Sequence, residues 1–142
     1  MPKQCCFTKK KLDIRRFRYW TVALHQNQSY LGRCIVYLNK HKEDFFQLDN
    51  KELKELMKIG KKLKNALKEL FNPTKFNYAW LGMGIPHLHL HFVPRYKKPV
   101  IFQGRIFKDK RWGKNYSPSP KLVFPDKELE NIKIAIAKKL NR

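Results

Sequence analysis

Residues 87–95 read His-Leu-His-Leu-His-Phe-Val-Pro-Arg. Histidine and apolar residues alternate strictly over the first six positions, and two is the side-chain period of a β-strand. Leu88, Leu90 and Phe92 then face one way and His87, His89 and His91 the other. At about 3.3 Å per residue the imidazoles stand roughly 6.6 Å apart along their face. This constrains the fold strongly. The strand must press one face on a core while the other presents three titratable, nucleophilic rings. A lone histidine on such a strand is usually a core residue holding one hydrogen bond; three in alternation point to chemistry.

The remaining pattern places this strand among others. Segment 18–24 (RYWTVAL) and segment 31–38 (LGRCIVYL) are aromatic and β-branched and predict a hairpin across the polar turn HQNQS, 25–29. Segment 76–83 (FNYAWLGM) predicts the strand preceding the histidines. VIF, 100–102, predicts one more short strand. Residues 49–71 predict a long helix. Asp49 and Glu52 have capping-box spacing, Leu48 and Leu53 suit a hydrophobic staple, and Pro73 ends the helix. Leu53, Leu56, Met57, Leu63, Leu67 and Leu70 form its expected apolar stripe, with lysines opposite. Residues 126–140 predict a C-terminal helix on Leu129, Ile132, Ile136 and Leu140. Hairpins around one long helix imply an α+β fold with an antiparallel sheet of about five strands. The chain divides into a basic, mobile N-terminal segment (1–16), a central domain (17–98), and a Pro-containing basic loop and helix (99–142) packed on the same domain.

Composition limits the function. At 142 residues with 42% hydrophobic and 13% aromatic residues, the chain builds one domain with a real core. No run of 18 apolar residues occurs, and the start MPKQCCFTKKK lacks the apolar stretch of a secretory signal. Cys5, Cys6 and Cys34 cannot all pair with one another, so reduced thiols in a cytoplasm are expected. The net charge is +21, concentrated in residues 1–35 and 95–121. Such a surface attracts polyanions, nucleic acid included, unless it only reflects a lysine-rich composition.

Two chemistries suit alternating histidines. They could chelate zinc with a further ligand from His25, His41, Cys34, Cys5 or Cys6. Against this, there is no Cys-x-x-Cys and no acidic residue between Phe71 and Arg95. Alternatively, a neutral imidazole attacks an α-phosphate and forms a nucleotidyl-histidine, which needs positioning and electrostatics rather than carboxylates.

PHLHLHFVPRY (86–96) resembles the signature of the histidine-triad (HIT) superfamily, in particular its short nucleotide hydrolases. The resemblance reaches back through NYAWLGMGIP (77–86) and the long helix to GRCIVYLNKH (32–41), covering roughly residues 17–98. It implies that His89 is the nucleophile, that His91 contacts the same phosphate, and that His87 supports the hydrogen-bond network. It implies substrate contacts from Asn77, from His41, from Gln26 or Asn27, and from the backbone of Gly84 and Ile85. It further implies a homodimer, no metal at the histidines, and Mg²⁺ only as a companion of a polyphosphate substrate. Dinucleoside polyphosphates and adenosine phosphoramidates are the substrates it suggests. The alternative is a nucleic-acid-binding member, one that removes adenylate from nucleic-acid ends. Relatives carry polar residues where Met83 and Gly84 stand, and often histidine where Arg33 stands; Arg33 then pairs with phosphate or lies exposed. Trp20 and Trp80 are read as core, Trp112 as core or base-stacking, Arg95 as structural or phosphate-binding, and Cys34 as a small buried hydrophobe.

Overall fold

A computed structural model describes residues 10–117 and 124–141. Cys5, Cys6, Pro118 and Pro120 lie outside the described residues. Five strands form one antiparallel sheet in the order β1-β2-β3-β5-β4. They are β1 (Asp13–Arg16), β2 (Trp20–Leu24), β3 (Cys34–Leu38), β4 (Lys75–Ala79) and β5 (His89–Arg95). Between β3 and β4 runs α1 (Asn50–Phe71), and after a small hairpin, β6 (Val100–Phe102) and β7 (Arg105–Phe107), comes α2 (Asp126–Leu140). The α+β class is as the sequence implies.

One face of the sheet carries the core. Val22, Leu24, Cys34, Val36, Leu38, Leu90 and Phe92 pack with Ile59, Leu63, Leu67 and Phe71 of α1 and with Leu129, Ile132, Ile136 and Leu140 of α2. Leu63 and Leu67 are wholly buried, each contributing roughly 1.5–3 kcal/mol. The α1 stripe is rotated from the one expected. Ile59 and Ala66 join it, whereas Leu53 and Met57 are exposed at 37% and 62%. The start of α1 is fixed by the Asp49–Glu52 capping box and by Trp20 Nε1 donating to the Glu52 carbonyl at 2.8 Å.

Several strand boundaries differ from the sequence pattern. β3 starts only at Cys34 because Leu31 and Gly32 turn the chain. Gly32 has φ +87°, and an added Cβ would come within 3.0–3.2 Å of Leu67 and Phe71, so only glycine fits. β4 ends at Ala79, where Trp80 turns to pack edge-on against Phe45 (4.8 Å between centroids) and Trp20 (6.2 Å). β5 begins at His89, so His87 precedes the strand. β1 lies within the segment read as an N-terminal tail: Asp13, Arg15 and Arg16 pair with Ala23, Val22 and Thr21 through one bulge.

Candidate active site

The register of β5 with its neighbours defines the second face of the sheet. Tyr37 lies opposite His89 and Ile35 opposite His91 on β3. Ala79 lies opposite His91 and Asn77 opposite Val93 on β4. Directly paired residues share a face, so this side carries His89, His91, Val93 and Arg95 in the centre. A cleft of about 380 Å³ opens over it. His89 and His91 line one side with His25, Arg33 and Ile35, and loop residues 81–85 line the other.

His89 is buried, and its Nδ1–H donates to the His87 carbonyl at 2.7 Å. A carbonyl can only accept, so Nδ1 carries the proton and the lone pair sits on Nε2. Burial holds the ring's pKa below its ordinary value, partly offset by that hydrogen bond. His91 lies 4.8 Å away between ring centroids, closer than the backbone spacing because the two rings lean together. Burial first, then the His89 ring and the Arg33 cation, bring His91 down to about 4. His25 stands 6.4 Å beyond His91 and is brought down to about 3 by burial, Arg33 and His91. All three rings are neutral at pH 7.

His87 does not share the cleft. It is 3% exposed, and its Nε2–H donates to the Leu38 carbonyl at 2.6 Å. Three rings on one open face are therefore corrected to two in the cleft and one behind it, whose carbonyl orients the nucleophile candidate. His41 lies behind again, 5.3 Å from His87 and 3.2 Å from Glu43, on an exposed loop outside the cleft.

The other expected residues fall in different places. Gly84 and Ile85 line the cleft, and a Cβ on Gly84 would meet open space. Asn77 is on the triad face with its Oδ1 accepting from Arg95 Nη1 at 2.6 Å. Gln26 is exposed on the loop, away from the cleft lining. Asn27 is buried in that loop, its Oδ1 accepting from the amide and hydroxyl of Ser29. The loop delivers His25 to the cleft because Gln28, wholly buried, holds its base through the His25 and Arg33 carbonyls and the Gly32 amide.

Two arginines meet opposite fates. Arg95 is structural: its five N–H groups reach both oxygens of Asp109, Asn77 Oδ1, and the carbonyls of Arg111 and Lys114. This straps residues 109–116 across the sheet and sets Tyr116 6.1 Å from His91. Arg33, which the sequence allowed to be exposed, is 1% exposed. Its guanidinium lies 5.4 Å from the Tyr116 ring. Trp112 is half-buried, 6.0 Å from the Lys75 ammonium and outside the cleft. Cys34 is fully buried, and burial pushes its thiol far up.

The sequence offers Arg33 as a phosphate partner and His25 only as a possible metal ligand, and it gives no signal for Tyr116. Tyr116 sits in an irregular loop whose path depends on Arg95. Among the described residues no three His, Cys, Asp or Glu side chains are grouped to hold a metal ion.

Known proteins place this geometry. The HIT domain model matches residues 10–98. An uncharacterized HIT-like protein of Mycoplasma genitalium is 35% identical over 71 residues, 46% of this chain and 50% of that protein. Another, from Methanocaldococcus jannaschii, is 33% identical over 70 residues, 46% and 54% of the two chains. The matched region thus spans about half the length of these curated relatives. Among solved structures, a histidine triad protein from Marinobacter aquaeolei superposes with a TM-score of 0.75 at 21% identity, covering 91% of this chain and 88% of that one. The diadenosine triphosphate hydrolase of Plasmodium falciparum superposes at 0.70 with 17% identity, covering 94% and 79%. With the family model covering more than half of the chain and the fold shared with these structures, the chain belongs to the HIT domain family.

Proposed function

We propose that the chain is a nucleotide hydrolase or transferase that acts at the α-phosphate of a nucleotide or dinucleoside polyphosphate through a covalent nucleotidyl-His89. The observation that carries this reading is the tautomer of His89: its Nδ1–H is fixed on the His87 carbonyl, which puts the Nε2 lone pair on the ring edge away from that bond, beside His91. In the first step Nε2 attacks phosphorus. A P–N bond forms, and the bond to the leaving group breaks with its electron pair. The carbonyl of His87 stabilises the positive charge that develops on the ring. In the second step water cleaves the P–N bond, releasing a nucleoside monophosphate and restoring the imidazole. His91, and the loop backbone at Gly84 and Ile85, stand where phosphate oxygens would lie. Mg²⁺, where present, arrives on the substrate's polyphosphate. Asn77 is held for the substrate by Arg95, and His41 supports His87 from outside. The homodimer follows the family resemblance, supported by β4, an edge strand with Tyr78 half exposed and unpaired backbone along one side.

The test is turnover of diadenosine triphosphate and adenosine phosphoramidate by wild type and by His89→Asn. The variant should lose at least about a thousandfold in turnover, since no neighbouring group forms the covalent bond. Substrate labelled at the α-phosphate, quenched in alkali, should leave label on the wild-type protein alone. More than about a tenth of wild-type turnover in the variant, or label on it, would refute the assignment.

A second reading, binding of nucleic acid, is favoured by one observation. A separate groove of about 340 Å³ is lined by Arg105, Lys108, Lys110 and Arg111 together with Tyr30 and Phe107. The clustered basic groups suit a polyanion, with the buried Tyr30 and Phe107 forming the groove floor.

A further inference from the structure

Arg33 is a buried cation whose hydrogen bonds are incomplete. It is 1% exposed, and neither its Nε nor its Nη1 has a hydrogen-bond partner among the described residues. No carboxylate among those residues forms an ion pair with it. The ring of Tyr116 offers partial compensation at 5.4 Å. A charge withdrawn from water without an anion is among the most costly features a fold can carry. Arg95, on the same sheet, shows how this protein completes a buried guanidinium when the role is structural. The orphan atoms are also clustered. His91 Nδ1 and Tyr116 Oη are likewise buried without partners, and Tyr116 touches both Arg33 and His91. Arg33 and His91 line the cleft, and Tyr116 stands behind them, against both.

The sheet register gives the direction. Tyr37 marks the rung of His89 and Ile35 the rung of His91. Arg33 precedes Ile35 by two residues, just before β3 begins, and lines the cleft together with Ile35 and His91. A phosphate in covalent reach of His89 contacts His91. Arg33 is then placed for the next anionic group along the substrate, not for the phosphorus under attack.

We propose that Arg33, with Tyr116, forms an anion-receiving subsite for the substrate's second phosphate, and so makes the chain select nucleotides whose α-phosphate carries a charged phosphate over those with an uncharged substituent. This rests on the reading of the cleft as a nucleotide site. Arg33 is a specificity residue here: it contacts the substrate but takes no part in bond making.

The experiment measures binding as well as turnover. Calorimetric titration with AMP and with α,β-methylene-ADP gives the preference for a second phosphate without chemistry. Wild type should prefer the diphosphate analogue. Arg33→Gln should reduce that preference at least tenfold, Tyr116→Phe by a smaller factor, and Arg33→Lys, which keeps the charge, should retain most of it. In turnover, Arg33→Gln should lose far more with diadenosine triphosphate than with adenosine phosphoramidate. An equal loss for AMP and the analogue would mean that Arg33 holds the α-phosphate, and would overturn the proposal. An unchanged preference would overturn it as well. Wild type that binds neither nucleotide would overturn the nucleotide reading itself, and this proposal with it. Should Arg33→Gln fail to fold, Arg33→Lys and Tyr116→Phe decide: an unchanged preference in Tyr116→Phe together with its complete loss in Arg33→Lys would refute a charge-based subsite.

Discussion

Asp109 is the residue whose loss should reach furthest. Its carboxylate accepts from Arg95 Nε at 2.7 Å and Nη2 at 3.1 Å, and from the Tyr96 and Arg111 amides at 3.2 and 3.0 Å. Arg95 is 2% exposed and Asp109 8%. Asp109→Ala leaves the guanidinium buried with three neutral acceptors and no counter-charge. Removing one partner of a buried ion pair costs about 3–5 kcal/mol. For a chain of this size that corresponds to a drop in Tm of roughly 6–20 °C, at about 2–4 °C per kcal/mol. Urea unfolding followed by tryptophan fluorescence measures it, with an unchanged m-value required for the comparison. The internal control is Glu69→Ala, which removes a half-exposed ion pair with Lys139 at 3.3 Å and should cost less than about 1 kcal/mol. An Asp109→Ala loss no larger than the control would refute the claim that burial makes this pair matter. If the cleft binds nucleotide as proposed, the variant should also lose that affinity, because residues 109–116 hold Tyr116 against Arg33 and His91 only while Arg95 holds the Arg111 and Lys114 carbonyls.

Acid should weaken the fold through the cleft histidines. His25 and His91 titrate near 3 and near 4 when folded and near 6.5 when unfolded, so the unfolded chain binds more protons below pH 6.5. Stability is therefore complete above about pH 6.5 and is lost as pH falls toward 4, by at most about 1.4 kcal/mol per pH unit for each ring. His91→Gln should flatten this slope in urea titrations at stepped pH; an unaltered slope would show that His91 is not held neutral. The charge of +21 should give nonspecific binding of DNA or RNA at low salt. Affinity should fall by orders of magnitude between about 50 and 200 mM salt if roughly six or more phosphates are contacted. Fluorescence anisotropy checks this, and an absence of binding at low salt would leave the basic groove without a polyanion.

The sequence made the frame legible because its signals are local. The alternation in 87–95 gave β5, the Asp49–Glu52 spacing gave the start of α1, and Pro73 gave its limit. β1 was hidden because Asp-Ile-Arg-Arg has strand pairing but almost no apolar pattern, as an edge strand needs. The β6–β7 hairpin had a signal that went unused: VIF and RIF flank Gln103-Gly104, both at positive φ, the turn chemistry of a tight hairpin. The triad's division of labour was not legible. Alternation puts three rings on one face, and only the actual strand start, set by Leu88 pairing with Lys42 and Leu38 through the backbone, leaves His87 against Tyr37 and outside the cleft lining.

The cleft's acid–base state and its charge have one origin. Among the described residues Arg33 is the only cation in the cleft lining, and its field adds to burial in keeping His25 and His91 unprotonated. Neutral rings are what nucleophilic attack on phosphorus requires, because a protonated imidazole has no lone pair to offer. A histidine in place of Arg33 would be neutral itself under the same burial and would exert no such field. The arginine therefore does two things that one residue type rarely combines. On the proposed reading it offers a positive charge to a polyphosphate, and its field helps keep His25 and His91 neutral. The energetic cost of keeping it buried is carried by the rest of the fold: by the Tyr116 ring, by the Arg95–Asp109 strap that fixes that ring, and by Gly32, whose turn under Leu67 and Phe71 sets the backbone from which Arg33 projects.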